Sequence, residues 1–352
     1  MRVELSDEAV SFGREVSRAI EAAGGDSLLQ LAELDPEGRA DLAEPVLKEL
    51  GAWELEPRRD PDELEAAAAL CRSVGYWALP YPVAERLARP VDLDVDGLLV
   101  VAPDAPRAAV AGLDLRWAAV TLDGSRSVAV PMASDVPPRH AAFVAPLLLR
   151  PLYGMPTAEV GSTASARSAA GAGPSDAALA LVLPVWTLLG MLDRALALAV
   201  GHVTVREQFG RPLSALQGVQ FQLTDAEVER AGLDALAGHA LWSAGVGGPD
   251  ALVDAIALRV AAIEAAEVVF RVAHQVHGAM GFCDETPVSW LSRYSQPLRR
   301  LPWGLSASRD LLVRAAGRRG LTGLFAPSPA AATPASGPAV DGLDADGTEV
   351  GG

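Results

Sequence analysis

Residues 205–222 read VREQFGRPLSALQGVQFQ, and this stretch stands apart from the chain around it. It follows a long run of Ala, Leu and Val and brings together a guanidinium, an aromatic ring and several amides. Arg206 and Phe209 are three residues apart, a spacing that predicts one shared face at the end of a helix. Gln217 follows eleven residues after Arg206, beyond a Gly-Arg-Pro turn.

These residue types suit a ligand that carries both a diphosphate and a planar ring. A guanidinium forms paired hydrogen bonds with phosphate oxygens. An aromatic side chain packs on a planar ring or a ribose, and an amide donates to a phosphate or ring oxygen. The alternative is an ordinary solvated arginine on a helix surface, and this stretch alone leaves both interpretations open.

A second unusual segment, QVHGAMGFCDETPVSWLSRYSQPLRR, occupies residues 275–300. It leaves a long predicted helix through Gly278 and Gly281, and it continues with acids, Pro287 and Arg293. Paired glycines allow a backbone to approach a ligand closely.

Composition limits the classes of function. Half of the 352 residues are hydrophobic, and the formal net charge is −16, which argues against nucleic acid as a partner. Cys71 and Cys283 are too few for a disulfide framework or a zinc site, and the histidines show no ligand-like spacing, so no metal is expected. The start of the chain lacks a basic segment followed by an apolar one, so we expect a cytoplasmic protein.

Periodicity predicts an α+β fold that is mostly α. Residues 1–90 are expected to form an N-terminal helical domain, and residues 91–165 a small β domain with strands in 97–103, 115–122 and 127–132. Residues 175–322 are expected to form a C-terminal helical bundle, with Ser175 as an N-cap. Its predicted helices cover 176–208, 214–244, 249–280 and 305–318. The tail, 327–352, is rich in Pro, Ala and Gly, and we expect it to be disordered.

One segment, residues 178–200, is apolar enough to imitate a membrane span. Pro184 interrupts it, and the charged pair Asp193-Arg194 shortens its longest uncharged run. We therefore interpret it as a buried bundle helix and expect no membrane span.

Together the two unusual segments resemble the acyl-CoA dehydrogenase family. In that family an R-x-x-F-G…Q motif opens the turn between two C-terminal helices, and a Q-x-H-G-G-x-G-[YF]…E-x-P…R motif ends a later helix. The order of domains is also similar over residues 1–322. The matching residues are Arg206, Phe209, Gly210, Gln217, Gln275, His277, Gly278, Gly281, Phe282, Glu285, Pro287 and Arg293.

The resemblance implies a fold, a cofactor and partners. The fold would be that of an acyl-CoA dehydrogenase, with a four-helix-bundle-like C-terminal domain. Arg206, Phe209, Gln217 and Gln275, with Gly278 beside them, would hold the adenosine diphosphate part of the FAD of a neighbouring subunit. This implies a homo- or hetero-oligomer, an acyl-CoA substrate, an electron-transfer acceptor and a place in lipid metabolism.

The chain departs from the family at the catalytic base. That carboxylate usually lies in an E-G-T triplet about 27 residues after the glutamine of the second motif. Counting from Gln275 reaches Pro302, and one inserted residue would align the triplet with Trp303-Gly304-Leu305. Some members place the base on the earlier helix, where counting back from Arg206 reaches the neighbourhood of Ala180. None of these side chains accepts a proton, so no catalytic residue is assigned.

The β region is a second departure. The family's T-E-P-x-x-G-S-D stretch and W-I-[TS] strand, which line the flavin and the acyl-CoA, have no counterpart here. Trp117 is interpreted as a core residue rather than a flavin contact.

Three hypotheses follow. The chain is one subunit of a heteromeric acyl-CoA dehydrogenase whose partner supplies the base. Alternatively, it is a stand-alone flavoenzyme that uses an unrecognised base, for which Asp284, Glu285 and Asp310 are candidates. In the third hypothesis it is a non-catalytic scaffold that keeps only the fold. The arginines at 293, 299 and 300 are interpreted either as contacts for a CoA phosphate or as members of local ion pairs.

Overall fold

The computed structural model describes residues 4–133, 143–152 and 165–319, so the predicted disordered tail at 327–352 lies outside the described residues. The described residues form ten α-helices and several short strands. The helices are α1 (Asp7–Ala23), α2 (Ser27–Leu34), α3 (Arg39–Glu49), α4 (Pro61–Tyr76), α5 (Val83–Leu87), α6 (Ser165–Val205), α7 (Gln217–Val246), α8 (Ala251–His277), α9 (Pro287–Arg300) and α10 (Leu305–Arg319). The strands are β1 (Gly97–Val100), β2 (Arg107–Ala108), β3 (Trp117–Val120), β4 (Arg126–Pro131), β5 (Ala145–Arg150), β6 (Glu207–Gln208) and β7 (Arg211–Pro212).

The N-terminal helices begin where their sequences provide caps. Ser6 accepts a hydrogen bond from the backbone N–H of Ala9 at the start of α1. Asp60 does the same for Asp62 at the start of α4, where Pro61 occupies the first turn as predicted. Side-chain oxygens thus satisfy N–H groups that have no partner within the helix.

The five-stranded sheet has the order β1-β3-β4-β5-β2. The β1–β3 pair is parallel, and the other pairs are antiparallel. All three predicted strand regions contain a strand, which confirms the mostly helical α+β fold with a small sheet. The prediction missed β5, because its LLL run between Pro146 and Arg150 has no β-branched residue to mark it as a strand. Trp117 is fully buried in the core as expected, directly opposite Gly97 on β1.

The longest helix, α6, begins earlier than predicted. It starts at Ser165, so Ser175 lies inside the helix and is not its N-cap. The Ser- and Ala-rich segment before Ser175 is compatible with helix, since alanine has the highest helix propensity. Tertiary contacts also hold this part of α6: the Asp176 carboxylate pairs with Arg58 at 2.7 Å and Arg126 at 3.0 Å.

Helix α6 lies inside the protein. Residues 173–205 are long and apolar enough to span a membrane by composition, but 83% of their most apolar window is buried within the chain. The helix packs against α4, α7, α8 and α9. This is the placement expected of a core helix.

Two glycines bring the backbones of α4 and α6 into contact. A Cβ atom at Gly75 would lie 1.8 Å from the carbonyl oxygen of Thr187, and one at Gly190 would lie 1.8 Å from that of Arg72. Beside this crossing, the Arg72 guanidinium forms ion pairs with Asp193 on α6 at 2.6 Å and with Asp234 on α7 at 3.0 Å. The N-terminal helices and the bundle are therefore joined at a point that tolerates no added atom.

The close contact predicts that two glycines of α6 differ in how an alanine substitution changes the free energy of unfolding. Gly190→Ala places a methyl group against backbone, so we expect it to lower the free energy of unfolding by about 3 kcal/mol or more. Gly201, also within α6, has open space around its Cα, and Gly201→Ala should raise that free energy by about 0.5–1 kcal/mol. Urea denaturation of both variants measures the difference, and equal midpoints would contradict the close crossing.

Candidate functional site

The segment after α6 forms a tight hairpin rather than a helix face. Helix α6 ends at Val205, and β6 pairs with β7 through a two-residue turn. The turn residues Phe209 and Gly210 have φ values of 55° and 73°, as in the mirror-image turns typical of two-residue hairpins. The predicted shared helix face of Arg206 and Phe209 is therefore wrong. A glycine that adopts positive φ readily ends the helical periodicity here.

Phe209 is held in an unfavourable backbone conformation. A residue with a bulky side chain rarely adopts positive φ. Such a backbone conformation destabilises the folded chain by about 1–3 kcal/mol. Its ring is 86% exposed, so burial within this chain does not offset the cost. Strain combined with exposure is typical of a residue that is held ready for a partner or ligand.

Gln217 lies at the first position of α7, across the hairpin from Arg206. The backbone N–H of Leu213 donates to the Arg206 carbonyl at 2.8 Å and folds the loop back onto the end of α6. The α7 N-cap, Leu216, provides no side-chain hydrogen bond. Gln217 and Arg206 are both exposed, and an uncapped helix N-terminus favours negative charge.

The end of α8 meets the end of α6. The His202 and His277 rings stack with their centroids 4.5 Å apart, so the last turns of the two helices are adjacent. Gln275 is exposed in the last turn of α8. Gly278 follows with φ 61° and ψ −142°, a combination close to the region that glycine alone occupies. One end of the bundle therefore gathers the five predicted cofactor-binding residues: Arg206, Phe209, Gln217, Gln275 and Gly278.

Two histidines at this end, His202 and His274, have lowered pKa values. Burial lowers the pKa of His202, and the nearby His277 and Arg206 lower it further. Burial is also the main cause that lowers the pKa of His274, whose ring stacks on Phe282 at 4.3 Å. The Arg206 guanidinium has no ion-pair partner among the residues of known position. Its charge remains available to an anion.

Several apolar side chains surround this end and are exposed to solvent. Large apolar side chains that are exposed at one end of a bundle are typical of an interaction site. The exposed residues are Val205, Phe209, Phe221, Met280 and Phe282.

A second feature is a cavity of about 70 Å³ between the N-terminal helices, the sheet and the bundle. Ala180 on α6 and Pro302 after α9 both line it. These are the two positions at which the family resemblance led us to look for a base. They lie more than 120 residues apart in sequence, and the fold brings them to one cavity, although neither carries an acid.

The carboxyl group that lines this cavity is Glu85 on α5, which the sequence analysis did not single out. Burial raises the pKa of Glu85, with smaller opposite effects from its own backbone N–H and from Arg39. Part of its surface stays accessible although it lies deep in the protein, because that surface faces the cavity. Its only sequence signal is an acid next to Arg86 in the mainly apolar run PYPVAERLA, 80–88.

The acids proposed earlier as bases lie elsewhere. Asp284 is exposed and pairs with Arg293 at 2.5 Å. Glu285 and Asp310 are exposed on the surface, and none of the three lines the cavity. An exposed carboxylate outside a pocket has nothing that would hold a substrate against it, so the structure favours none of them as a base.

Two of the three C-terminal arginines, Arg293 and Arg299, are engaged within the chain. Arg293 pairs with Asp284 and stacks on Trp290, with 4.1 Å between its guanidinium carbon and the ring centroid. Arg299 lies over the Phe270 ring at 5.3 Å, and burial lowers its pKa. The ion-pair interpretation therefore describes Arg293. Within the described ranges, no group of three or more His, Cys, Asp or Glu residues could hold a metal ion.

Comparison with known proteins agrees with this geometry. Residues 182–301 match the family described as "Acyl-CoA dehydrogenase, C-terminal domain". This match identifies the C-terminal helical bundle as an acyl-CoA dehydrogenase domain. The matched residues include the five positions that the sequence analysis predicted to bind a cofactor: Arg206, Phe209, Gln217, Gln275 and Gly278.

Two curated relatives and one solved structure illustrate the similarity. The 3-sulfinopropanoyl-CoA desulfinase of Paraburkholderia xenovorans is 36% identical over 107 residues, which are 30% of this chain and 26% of the relative. The short-chain specific acyl-CoA dehydrogenase of Megasphaera elsdenii is 36% identical over 101 residues, 29% of this chain and 26% of the relative. The alignments thus span about a quarter of these relatives. The ChsE4-ChsE5 complex of Mycobacterium tuberculosis contains a chain of similar fold, with a TM-score of 0.66, 16% identity, and coverage of 90% of this chain and 99% of that one.

The strained turn makes a prediction about stability. Asparagine tolerates positive φ, and Asn-Gly is a favoured pair in such turns. We therefore expect Phe209→Asn to raise the free energy of unfolding of the isolated chain by about 0.5–1 kcal/mol. Phe221→Asn is the control, because Phe221 is 60% exposed but lies in the regular helix α7. Denaturant titration checks both, and a loss of stability in Phe209→Asn would contradict strain at this turn.

Proposed function

We propose that this chain is one subunit of a heteromeric, FAD-dependent acyl-CoA dehydrogenase. In this proposal it binds the adenosine diphosphate part of a flavin whose ring lies on the partner subunit. The observation that supports the proposal most directly is the exposure of four predicted cofactor contacts at one end of the bundle: Arg206, Phe209, Gln217 and Gln275. At the two positions where the family carries its carboxylate base, this chain has no acid.

The residues at this end fit an adenosine diphosphate group. Arg206 would form paired hydrogen bonds with the diphosphate, and the uncapped start of α7 would favour the same negative charge. Phe209 would cover a planar ring or the ribose. Gln217 and Gln275 would donate amide N–H groups, and Gly278 would allow the backbone to come close.

The proposed partner is a homologous dehydrogenase subunit. The exposed apolar side chains beside Arg206 support an interface at this end. The similar structure from Mycobacterium tuberculosis is a complex of two different proteins, ChsE4 and ChsE5. This supports a hetero-oligomer as the form of the enzyme. A further partner would be an electron-transfer protein that reoxidises the flavin.

The proposed reaction is the α,β-dehydrogenation of an acyl-CoA thioester. FAD, when bound, supplies the hydride acceptor. The partner would supply the carboxylate that removes the α-proton, and this chain would orient and screen the cofactor. Its contribution would be electrostatic, since a guanidinium in a partly desolvated interface stabilises a diphosphate more than it would in water.

A second candidate is a stand-alone flavoenzyme of the same family. Glu85 supports this candidate, because it supplies a buried carboxyl where the two expected base positions meet. Flavin bound by the chain alone would favour this second candidate. If the chain is a scaffold that keeps only the fold, it would bind no flavin, either alone or together with a partner subunit.

The proposal predicts the behaviour of Arg206→Ala. Loss of a charge-assisted contact to the diphosphate should weaken FAD binding by roughly 1.5–3 kcal/mol, about 10- to 150-fold in Kd. Flavin absorbance after desalting of the co-purified subunits measures the retained cofactor. Arg314→Ala, which removes an exposed arginine of α10, is the control and should retain the wild-type amount. Equal retention in both variants would reject the proposed role of Arg206.

A further inference from the structure

His202 lies between the two segments that are predicted to hold the cofactor. The backbone N–H of Arg206 donates to the His202 carbonyl at 2.9 Å, so the two residues are one helical turn apart at the end of α6. The His202 ring also stacks on His277 in the last turn of α8, with 4.5 Å between the ring centroids. Gln275 and Gly278 flank His277 in the sequence. His202 therefore joins the two halves of the site, although neither sequence motif includes it.

We propose that His202 is a second cation of the diphosphate site, which takes up a proton when the cofactor binds beside Arg206. The inference rests on the proposed function, because the ligand is the FAD diphosphate that Arg206 is proposed to bind. It adds a binding residue that belongs to neither motif, and it makes the affinity for the cofactor depend on pH.

The His202 imidazole is available to a ligand. It makes no hydrogen bond or ion pair with another residue of the described ranges. The residue is half-buried, and neither ring nitrogen is a buried atom without a partner. A protonated imidazole donates two N–H groups, which phosphate oxygens accept. Because residues four apart share a helix face, these donors lie one turn below the Arg206 side chain.

The surroundings of His202 provide no anionic partner in the free chain. Burial is the main cause that lowers its pKa, and the nearby His277 and Arg206 lower it further. The acids of the adjacent elements, Glu207 and Asp225, are exposed and do not shift this pKa. The charged and titratable groups of these elements are Glu207 and Arg211 in the hairpin, Asp225 as the first acid of α7, and Arg271, His274 and His277 in the last two turns of α8. A bound diphosphate would therefore supply the negative charge that a protonated His202 lacks.

The ring of His277 holds His202 in place. Nδ1 of His277 lies 2.8 Å from the carbonyl oxygen of Ala273, one turn earlier in α8. Since a carbonyl oxygen only accepts, Nδ1 carries the proton and the ring is fixed to its own helix. The planes of the two stacked rings differ by 26°. A diphosphate beside Arg206 would thus meet an imidazole whose position is already determined by packing.

Binding of the diphosphate and protonation of His202 favour each other. The pKa of His202 lies below its ordinary value in the free chain, and a neighbouring anion raises it. The affinity is therefore highest below the pKa of the free chain, falls as the pH rises towards the pKa of the complex, and is constant above it. Both phosphates of FAD are esterified, so the diphosphate itself does not titrate in this range.

A purely structural role would require the flat ring of His202 but not its charge. In that case His202 would only pack the end of α6 against the end of α8. Phenylalanine keeps a planar ring for the stack and cannot be protonated. His202→Phe therefore separates packing from charge.

The dissociation constant of FAD from the co-purified subunits tests the proposal. The complex is diluted at about pH 6 and about pH 8, and released FAD is measured by its fluorescence against free FAD at each pH. From pH 6 to pH 8 we expect Kd of the wild type to rise roughly 10-fold more than Kd of His202→Phe. The comparison removes pH effects that arise in the partner subunit.

Two further variants complete the test. His202→Arg carries a fixed charge, so it should bind FAD more tightly than the wild type at pH 8 and show little change at pH 6. His239→Phe is the control. It removes a half-buried histidine of α7 that lies about 33 Å along the helix from Gln217, and it should keep the pH dependence of the wild type.

Equal pH dependence in the wild type and His202→Phe would overturn the inference. A His202→Phe complex that binds FAD more weakly by the same factor at both pH values would also overturn it, since that result indicates packing alone. Both outcomes leave the proposed function intact if Arg206→Ala loses FAD. A complex without FAD, or one that keeps its FAD in Arg206→Ala, would overturn the proposed function and this inference together.

Discussion

The rest of this structure depends on the contact between the backbones of α4 and α6 at Gly75 and Gly190. No side chain separates the helices there, because a Cβ atom at either glycine would lie 1.8 Å from a backbone oxygen of the other helix. The Arg72 ion pairs with Asp193 and Asp234 extend this contact to α7. Helix α6 contributes residues to two sites along its length. Its middle forms a wall of the Glu85 cavity, and its end leads into the hairpin that presents Arg206.

The two sites use different physical devices. At the end of the bundle, positive φ values at Phe209 and Gly278 hold the chain in conformations that regular helices exclude, and exposed apolar groups remain without cover. Such a surface becomes favourable only when another molecule covers it. In the cavity, burial removes the Glu85 carboxyl from bulk water and raises its pKa. The first arrangement suits cofactor binding at an interface, and the second suits proton transfer.

The sequence predicted the order of helices and strands because apolar periodicity is set locally by each element. It also identified the residues that meet at the end of the bundle, since Arg206, Phe209, Gln217 and Gln275 follow motif spacings. It did not predict how they meet: the hairpin at Phe209-Gly210 replaced the expected helix face, because positive φ at a phenylalanine is not a local preference. Ser175 was mistaken for an N-cap for a related reason, since tertiary contacts of Asp176 hold the helix through that position. Glu85 was missed because its significance arises only when α5, α6 and the segment after α9 surround it.

The central claim is that this chain completes the FAD site of a neighbouring subunit. A structure of the purified, flavin-containing oligomer tests it most directly. The account predicts a diphosphate within hydrogen-bond distance of Arg206 of this chain, with the flavin ring against a different subunit and the Phe209 side chain covered. A flavin held entirely within this chain, or an oligomer in which the Arg206 end of the bundle faces solvent, would contradict it.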